Sequence, residues 1–384
     1  MFYILQKIKT YDFMVCKLNI INPLNINWLV ILCFGCLLFG CKAESDIKKT
    51  AFAKHFAKNT YVFLSAEDTP FLGKPTTIKA VSDGLFFVDL GHYQITKVDY
   101  EGNHLLSFGN HGRGPGELQS ITGFWPFKNE YLVYDYTSFK FLTFDAHGKL
   151  MDEEVLNENP VNPDSDFSIP ITLDALSSDK LIIPSGGRNG SLFAIADRNS
   201  GDVSYFGKAV GEFVQVYNNQ EVMQAYSRGE IPDIMLNLVI LSSNSNAIYS
   251  LQQATGVLGK FTHSGEQVWE LELNIPGQEG LIEHIAQHNI EAGRSNVRRQ
   301  RFIHARAMDA NESGVAILLN MPADQPLTIA RVSADGNTID LIEIEGISLD
   351  FSGSMVGFTV SPDGRHAYYL EPNIGTTYKI EWPL

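Results

Sequence analysis

The sequence predicts an all-β chain folded as a six-bladed β-propeller, with short helical insertions on one face and an N-terminal strand closing the last blade. Three observations carry this. A block of two apolar strands and two turns is repeated, with Asp89 and Asp135, Asp99 and Asp145, and Gly102 and Gly148 each 46 residues apart. A fixed period of that size, made of short β runs, marks a propeller blade. Degenerate copies of the same plan continue to the end of the chain. A β-rich run, Tyr61, Val62, Phe63 and Leu64, precedes the first blade, while the last blade reads one strand short.

The first 40 residues are set aside as a lipoprotein signal peptide. Residues 28–40 form an unbroken apolar run behind Lys7, Lys9 and Lys17. That run is too short for a bilayer core, which takes about 20 residues, and suits a signal peptide. It ends in Leu38, Phe39, Gly40 and Cys41, a lipobox-like string that marks Cys41 for lipidation. The four cysteines are Cys16, Cys33, Cys36 and Cys41, so cleavage before Cys41 leaves the mature chain one cysteine and no internal disulfide. Residues 41–58 are read as a tether and 59–384 as the propeller. Lys42 after the cysteine suits outer-membrane sorting.

The full chain carries 29 basic and 44 acidic residues, net −15. Removing residues 1–40 takes away three lysines and Asp12, leaving 26 against 43, net −17. Such a surface repels phosphate backbones and disfavours nucleic acid as a partner.

Blade one is expected at 76–82, 85–90, 95–99 and 104–108, and blade two over 123–155. Blade three follows at 168–176, 181–184, 192–197 and 203–206, and blade four at 236–241, 247–251, 258–262 and 268–273. Blade five falls at 305–309, 315–319, 327–333 and 338–344, and blade six at 357–360, 366–370 and 377–382. Asp-Gly and similar pairs occupy the tight turns. Residues 61–64 should supply the missing outer strand of blade six and remove exposed sheet edges. Two long connections, 207–235 and 275–303, hold helical stretches at 220–228 and around Leu281, Ile282, Ile285 and Ile290. These connections share one face of the disc with the loops between second and third strands, so insertions gather where function usually lies.

Residues 107–118, Ser-Phe-Gly-Asn-His-Gly-Arg-Gly-Pro-Gly-Glu-Leu, resemble the glycine-rich linker between NHL-type repeats. Residues 97–102 also look like such a repeat. With the lipobox, the chain is similar to the six-bladed, TolB-like propeller lipoproteins of Bacteroidetes-type bacteria. Blades three to six lack the Pro-Gly-Glu linker. The resemblance implies fold and cell-envelope location rather than a reaction.

The glycine loop lacks the Gly-Lys-Ser/Thr of a phosphate cradle, and Arg113 is its one residue able to reach a ligand. His284 and His288 have metal-compatible spacing but no third ligand and no glutamate between them placed as a general base. Arg294, Arg298, Arg299, Arg301 and Arg306 read either as a solvated charged surface or as an anion-binding patch at the channel mouth. The recurring aspartates read as turn-capping groups. The inner strands, such as 238–241, read as mostly apolar, and no channel set of metal-binding acids and histidines can be assembled from them. No cofactor is expected.

The expected function is a lipid-anchored outer-membrane binding or scaffolding module for a peptide, glycan or protein partner. Its candidate ligand-binding residues are His92, Arg113, Arg188, Arg298 and Arg299, and no catalytic residue is assigned. The alternative is an NHL-like or lactonase-like metal-dependent lyase or hydrolase with its site in the central channel.

Overall fold

The computed structural model describes residues 51–155 (66, 69 and 71 apart), 173–211, 218–295 (279 apart), 299–345 (323 and 324 apart), 347, 357–371 and 375–382. The signal peptide, Cys41, the start of the tether and Arg298 lie outside the described residues.

Two strands, β1 (Ala51–Phe56) and β2 (Asn59–Leu64), precede the blades. Blade one is β3 (Pro75–Val81), β4 (Gly84–Asp89), β5 (Gln94–Val98) and β6 (His104–Phe108), followed by the two-residue strands β7 (Asn110–His111) and β8 (Glu117–Leu118). Blade two is β9 (Ile121–Pro126), β10 (Glu130–Asp135), β11 (Lys140–Asp145) and β12 (Leu150–Val155). Blade three is β13 (Asp174–Ser177), β14 (Lys180–Pro184), β15 (Phe193–Asp197) and β16 (Val203–Phe206). Two helices, α1 (Asn219–Ser227) and α2 (Asp233–Leu236), lead to blade four, β17 (Val239–Ser243), β18 (Ile248–Gln252), β19 (Val257–Phe261) and β20 (Gln267–Glu272). Helix α3 (Leu281–Ser295) precedes blade five, β21 (Ala305–Asn311), β22 (Gly314–Leu319), β23 (Leu327–Ser333) and β24 (Thr338–Ile344). Blade six is β25 (Gly357–Val360), β26 (His366–Glu371) and β27 (Thr376–Glu381).

The sheet order of blade six is β2-β27-β26-β25, so the N-terminal run supplies its fourth strand, as the sequence predicts. The pairing is antiparallel, from Asn59 opposite Glu381 to Leu64 opposite Thr377. Residues 51–56, read above as tether, instead form a fifth strand of blade five, parallel to β24 from Ala51 opposite Thr338 to Phe56 opposite Glu343. So short a run, Ala-Phe-Ala-Lys-His-Phe, is not separated from a linker by composition alone. Two further boundaries shift. The inner strand of blade four begins at Val239, because Asp233–Leu236 form a helical turn after the extended Pro232. The described inner strand of blade three is Asp174–Ser177, and residues 168–172 lie outside the described residues.

The hydrophobic core is divided into seams between neighbouring blades. Phe86 and Val88 of β4 face Phe124, Tyr131 and Val133 of blade two. Leu85 and Phe87 of the same strand face the other way, against Leu64, Tyr368 and Leu370. Equivalent clusters join blades two and three, three and four, four and five, and five and six. Each sheet is therefore covered on both faces. The second strands β4, β18 and β22 are accordingly buried at every position, which is why β4 and β22 read as mostly continuous apolar runs rather than alternating ones.

Candidate functional site

The repeated aspartates clamp turns. The Asp89 carboxylate accepts from the N–H groups of Gly73 (2.8 Å), Lys74 (2.6 Å) and Gly91 (2.8 Å), and lies 2.7 Å from His92 Nδ1. Asp135 does the same for Gln119, Ser120 and Thr137, each 46 positions on. Each ties the chain entering its blade to the loop between second and third strands. Burial works against the Asp89 anion, but the donors at Lys74, Gly73, His92 and Gly91 outweigh it and hold its pKa below the usual carboxylate range. Asp99 and Asp145 cap the next turns through Glu101 and Asn103, and through His147 and Lys149. The 46-residue signature is thus backbone hydrogen bonding.

The glycine-rich loop is likewise closed on itself. Gly114 N–H donates to Glu117 Oε2 at 2.7 Å, and a Cβ on Gly112 would collide with that carboxylate. Gly116 N–H donates to Glu153, whose other oxygen meets buried Lys140 at 3.3 Å. Glutamate side chains fill the place a phosphate would need.

The six inner strands enclose a central cavity of about 470 Å³. Ile78, Phe124, Trp125, Leu241, Ile303 and Phe358 provide much of its apolar wall. The expectation of mostly apolar inner strands is corrected at one level of the channel, where polar side chains from all six blades meet. Lys79 Nζ lies 3.3 Å from Asp309 Oδ1, and Asp309 Oδ2 accepts from the Thr359 hydroxyl and Val360 N–H, both at 2.8 Å. The Thr359 hydroxyl accepts from Ala80 N–H, and the Ser242 hydroxyl from Ala310 N–H. Asp174 accepts from Ser243 and from Trp125 Nε1, both at 2.8 Å. These residues come from blades one, six, five, four, three and two, and their bonds link neighbouring blades in series from two through three, four, five and six to one. Burial opposes the Lys79 charge, but Asp309 and Asp174 outweigh it and raise its pKa. Burial pushes the Asp174 carboxyl up, against Lys79, Ser243, Ala175 and Trp125. The sequence signal was a few polar residues, Lys79, Asp174, Ser242, Ser243, Asp309 and Thr359, scattered among the inner runs, and nothing in those runs showed that they face one another.

The cavity meets the loop-bearing face at the segment between α3 and β21. Alternate residues of that segment are pinned. Gln300 exchanges two hydrogen bonds with the buried Asn289 side chain, at 2.7 and 2.9 Å. Phe302 is buried and stacks on Tyr226 of α1 with ring centroids 5.7 Å apart. His304 donates from Nδ1 to the Gln253 carbonyl at 2.7 Å, its pKa lowered chiefly by burial. Arg301 and Ile303, the residues between, line the cavity together with Arg306. Arg306 Nε donates to Asn320 Oδ1 at 2.8 Å, which orients its guanidinium.

The predicted ligand residues are therefore scattered. His92 is tied to Asp89, Arg113 is exposed on the glycine loop, and Arg188 lies in a short 3₁₀ turn of blade three. None of the three lines the cavity. Arg299 donates to Ser227 of α1 at 3.1 Å and serves the packing of the two helices. Of the arginine cluster, Arg301 and Arg306 reach the channel. His284 is exposed on α3, and among the described residues no three His, Cys, Asp or Glu side chains gather closely enough to hold a metal.

A comparison with solved structures returns propellers at low identity. A putative exported protein from Bacteroides fragilis is 10% identical over 86% of this chain and 98% of that one, with a TM-score of 0.51. A member of the DUF4221 family from Bacteroides vulgatus is 11% identical, covering 85% and 97%, with a TM-score of 0.49. A catalytically inactive virginiamycin B lyase from Staphylococcus aureus with quinupristin is 14% identical, covering 85% and 99%, with a TM-score of 0.47. At these identities the likeness is one of fold. No curated protein matches. The DUF5128 family, described as a six-bladed β-propeller, matches residues 41–247, more than half of the chain, and the protein belongs to that family.

Proposed function

We propose that the protein is a binding module of the cell envelope, held at the outer membrane by a lipid on Cys41, and that it takes its ligand in the central channel from the loop-bearing face. The ligand is a peptide, a glycan or a segment of a partner protein. The observation that carries this reading is the 470 Å³ cavity, whose wall comes from all six inner strands and from the segment between α3 and β21. Its size lies within the range of small-ligand sites, about 300–1,000 Å³, and its wall is mainly apolar with a few oriented polar groups. The lipobox-like string at residues 38–41 supports the anchor.

The carboxylates at the channel level argue against a reactive centre, because Asp309 and Asp174 already accept from neighbouring side chains and backbone. A second reading, channel-centred hydrolysis or elimination, draws on the convergence of Lys79, Asp174 and Asp309 from three blades. One experiment separates the two. A panel of short peptides and oligosaccharides is screened by thermal shift against the protein and a Leu173→Trp variant that fills the channel, with mass spectrometry of each mixture afterwards. Stabilisation by an unchanged compound, lost in Leu173→Trp, is expected. Stabilisation that persists in the variant refutes the channel site, and a chemically altered compound replaces binding with catalysis.

A further inference from the structure

The charge of the channel points to the kind of ligand. The protein is strongly acidic, net −15 over the whole chain, yet its cavity is lined by three cations, Lys79, Arg301 and Arg306, against one carboxylate, Asp174. Lys79 is committed to Asp309 within the polar ring. Arg301 is exposed at the cavity wall and has no partner among the described residues. Its backbone is held on both sides, by the Asn289 clamp on Gln300 and by the burial of Phe302. Arg306 is oriented by Asn320 on the same stretch of wall. A low-dielectric cleft lined by one sign of charge concentrates the opposite sign, and guanidinium groups hold carboxylates with paired, charge-assisted hydrogen bonds. Beyond them the wall is apolar but not uniformly so, since Thr77 and Thr122 also line it.

We infer, on the basis of the channel-binding reading above, that this mouth captures the free C-terminal carboxylate of a peptide whose last side chains are apolar. The carboxylate lies at Arg301 and Arg306, and the terminal side chains enter among Leu173, Ile240, Ile303 and Ala307, the partly exposed apolar residues of the wall. A fatty carboxylate shares the head group but would leave the Thr77 hydroxyl facing a hydrocarbon chain, whereas a peptide amide can pair with it.

The test titrates the purified protein with acetyl-Leu-Phe as the free acid, the same peptide as its C-terminal amide, and octanoate, at fixed ionic strength. The acid should bind roughly ten-fold or more tightly than the amide, the scale of a charge-assisted hydrogen bond, and more tightly than octanoate. Arg301→Ala should remove most of the preference for acid over amide, Arg306 keeping the remainder, and Arg301→Lys should keep more of it than Arg301→Ala. Equal binding of acid and amide, with both lost in Leu173→Trp, overturns carboxylate capture and leaves the channel site standing. Octanoate binding as tightly as the acid overturns the peptide assignment. Acid binding that survives Leu173→Trp overturns the inference and the channel reading together, and no saturable binding of the acid overturns the inference in the unaltered protein.

Discussion

Closure of the ring by β2 can be tested at a single side chain. Leu64 is 3% exposed and sits in the seam between blades six and one, against Leu72, Ile78, Leu85, Tyr368 and Leu370. Val62, on the same strand, is 57% exposed. Leu64→Ala removes three carbons from a buried position. At about 0.8 kcal/mol per buried methylene, transfer alone accounts for about 2.4 kcal/mol. The cavity left behind adds to this, and comparable truncations cost about 2–5 kcal/mol. We expect about 3 kcal/mol for Leu64→Ala and under about 0.5 kcal/mol for Val62→Ala, as for an exposed position. Both are measured by urea unfolding followed through tryptophan fluorescence. The pair controls for strand propensity, because both substitutions replace an apolar residue by alanine in one strand. If the two variants unfold within about 0.5 kcal/mol of each other, β2 does not close the seam.

Two further predictions concern the buried acids. Asp309→Ala removes the acceptor shared by Lys79, Thr359 and Val360, so it should cost about 2–4 kcal/mol, the scale of an uncompensated buried group, with Asp309→Asn recovering part. Unfolding of Asp309→Ala at the wild-type urea midpoint would show that the ring of side chains does not fasten the blades. Asp89→Asn should cost about 1–3 kcal/mol at pH 7, because an amide cannot accept all the bonds that the carboxylate takes. The folded pKa of Asp89 is depressed, so its contribution is complete above the ordinary carboxylate pKa of about 3.9 and is lost as pH falls through the folded value. The gap between wild type and variant should therefore shrink on acidification below about pH 4, and a gap of the same size at pH 3 and pH 7 would rule out the anion as the source.

Legibility followed the range of the interactions. The 46-residue spacing was readable because each copy satisfies its own turn amides through a local aspartate, so the same chemistry returns at the same place. The helices announced themselves for a similar reason. Leu281, Ile285 and Ala292 recur on one buried face of α3, and Asn218 caps α1 by accepting from Gln220 and Glu221 N–H. Strand β1 was missed because its partner β24 lies almost 290 residues away and pairs with it in parallel, a contact with no local turn to signal it.

The channel was the least legible part. Asp174, Ser242, Asp309 and Thr359 stand in four different inner strands with other polar residues such as Ser243 and Asn311 close by, and the sequence separating them exceeds that of any local motif. An arginine cluster could be seen at residues 294–306, but which members face the cavity depends on the alternation set by Gln300, Phe302 and His304.

The sequence by itself determined the architecture, because propeller blades are built from short-range hairpins whose strand period, turn residues and capping aspartates are written within each repeat. It also determined that the ring needed an N-terminal strand, since one blade lacked its fourth. Only the tertiary structure decided what the axis holds. Bringing one residue from each of six blades to a common level requires the circular closure itself. The charge, volume and exposed guanidinium of the channel are therefore properties of the closed ring rather than of any segment.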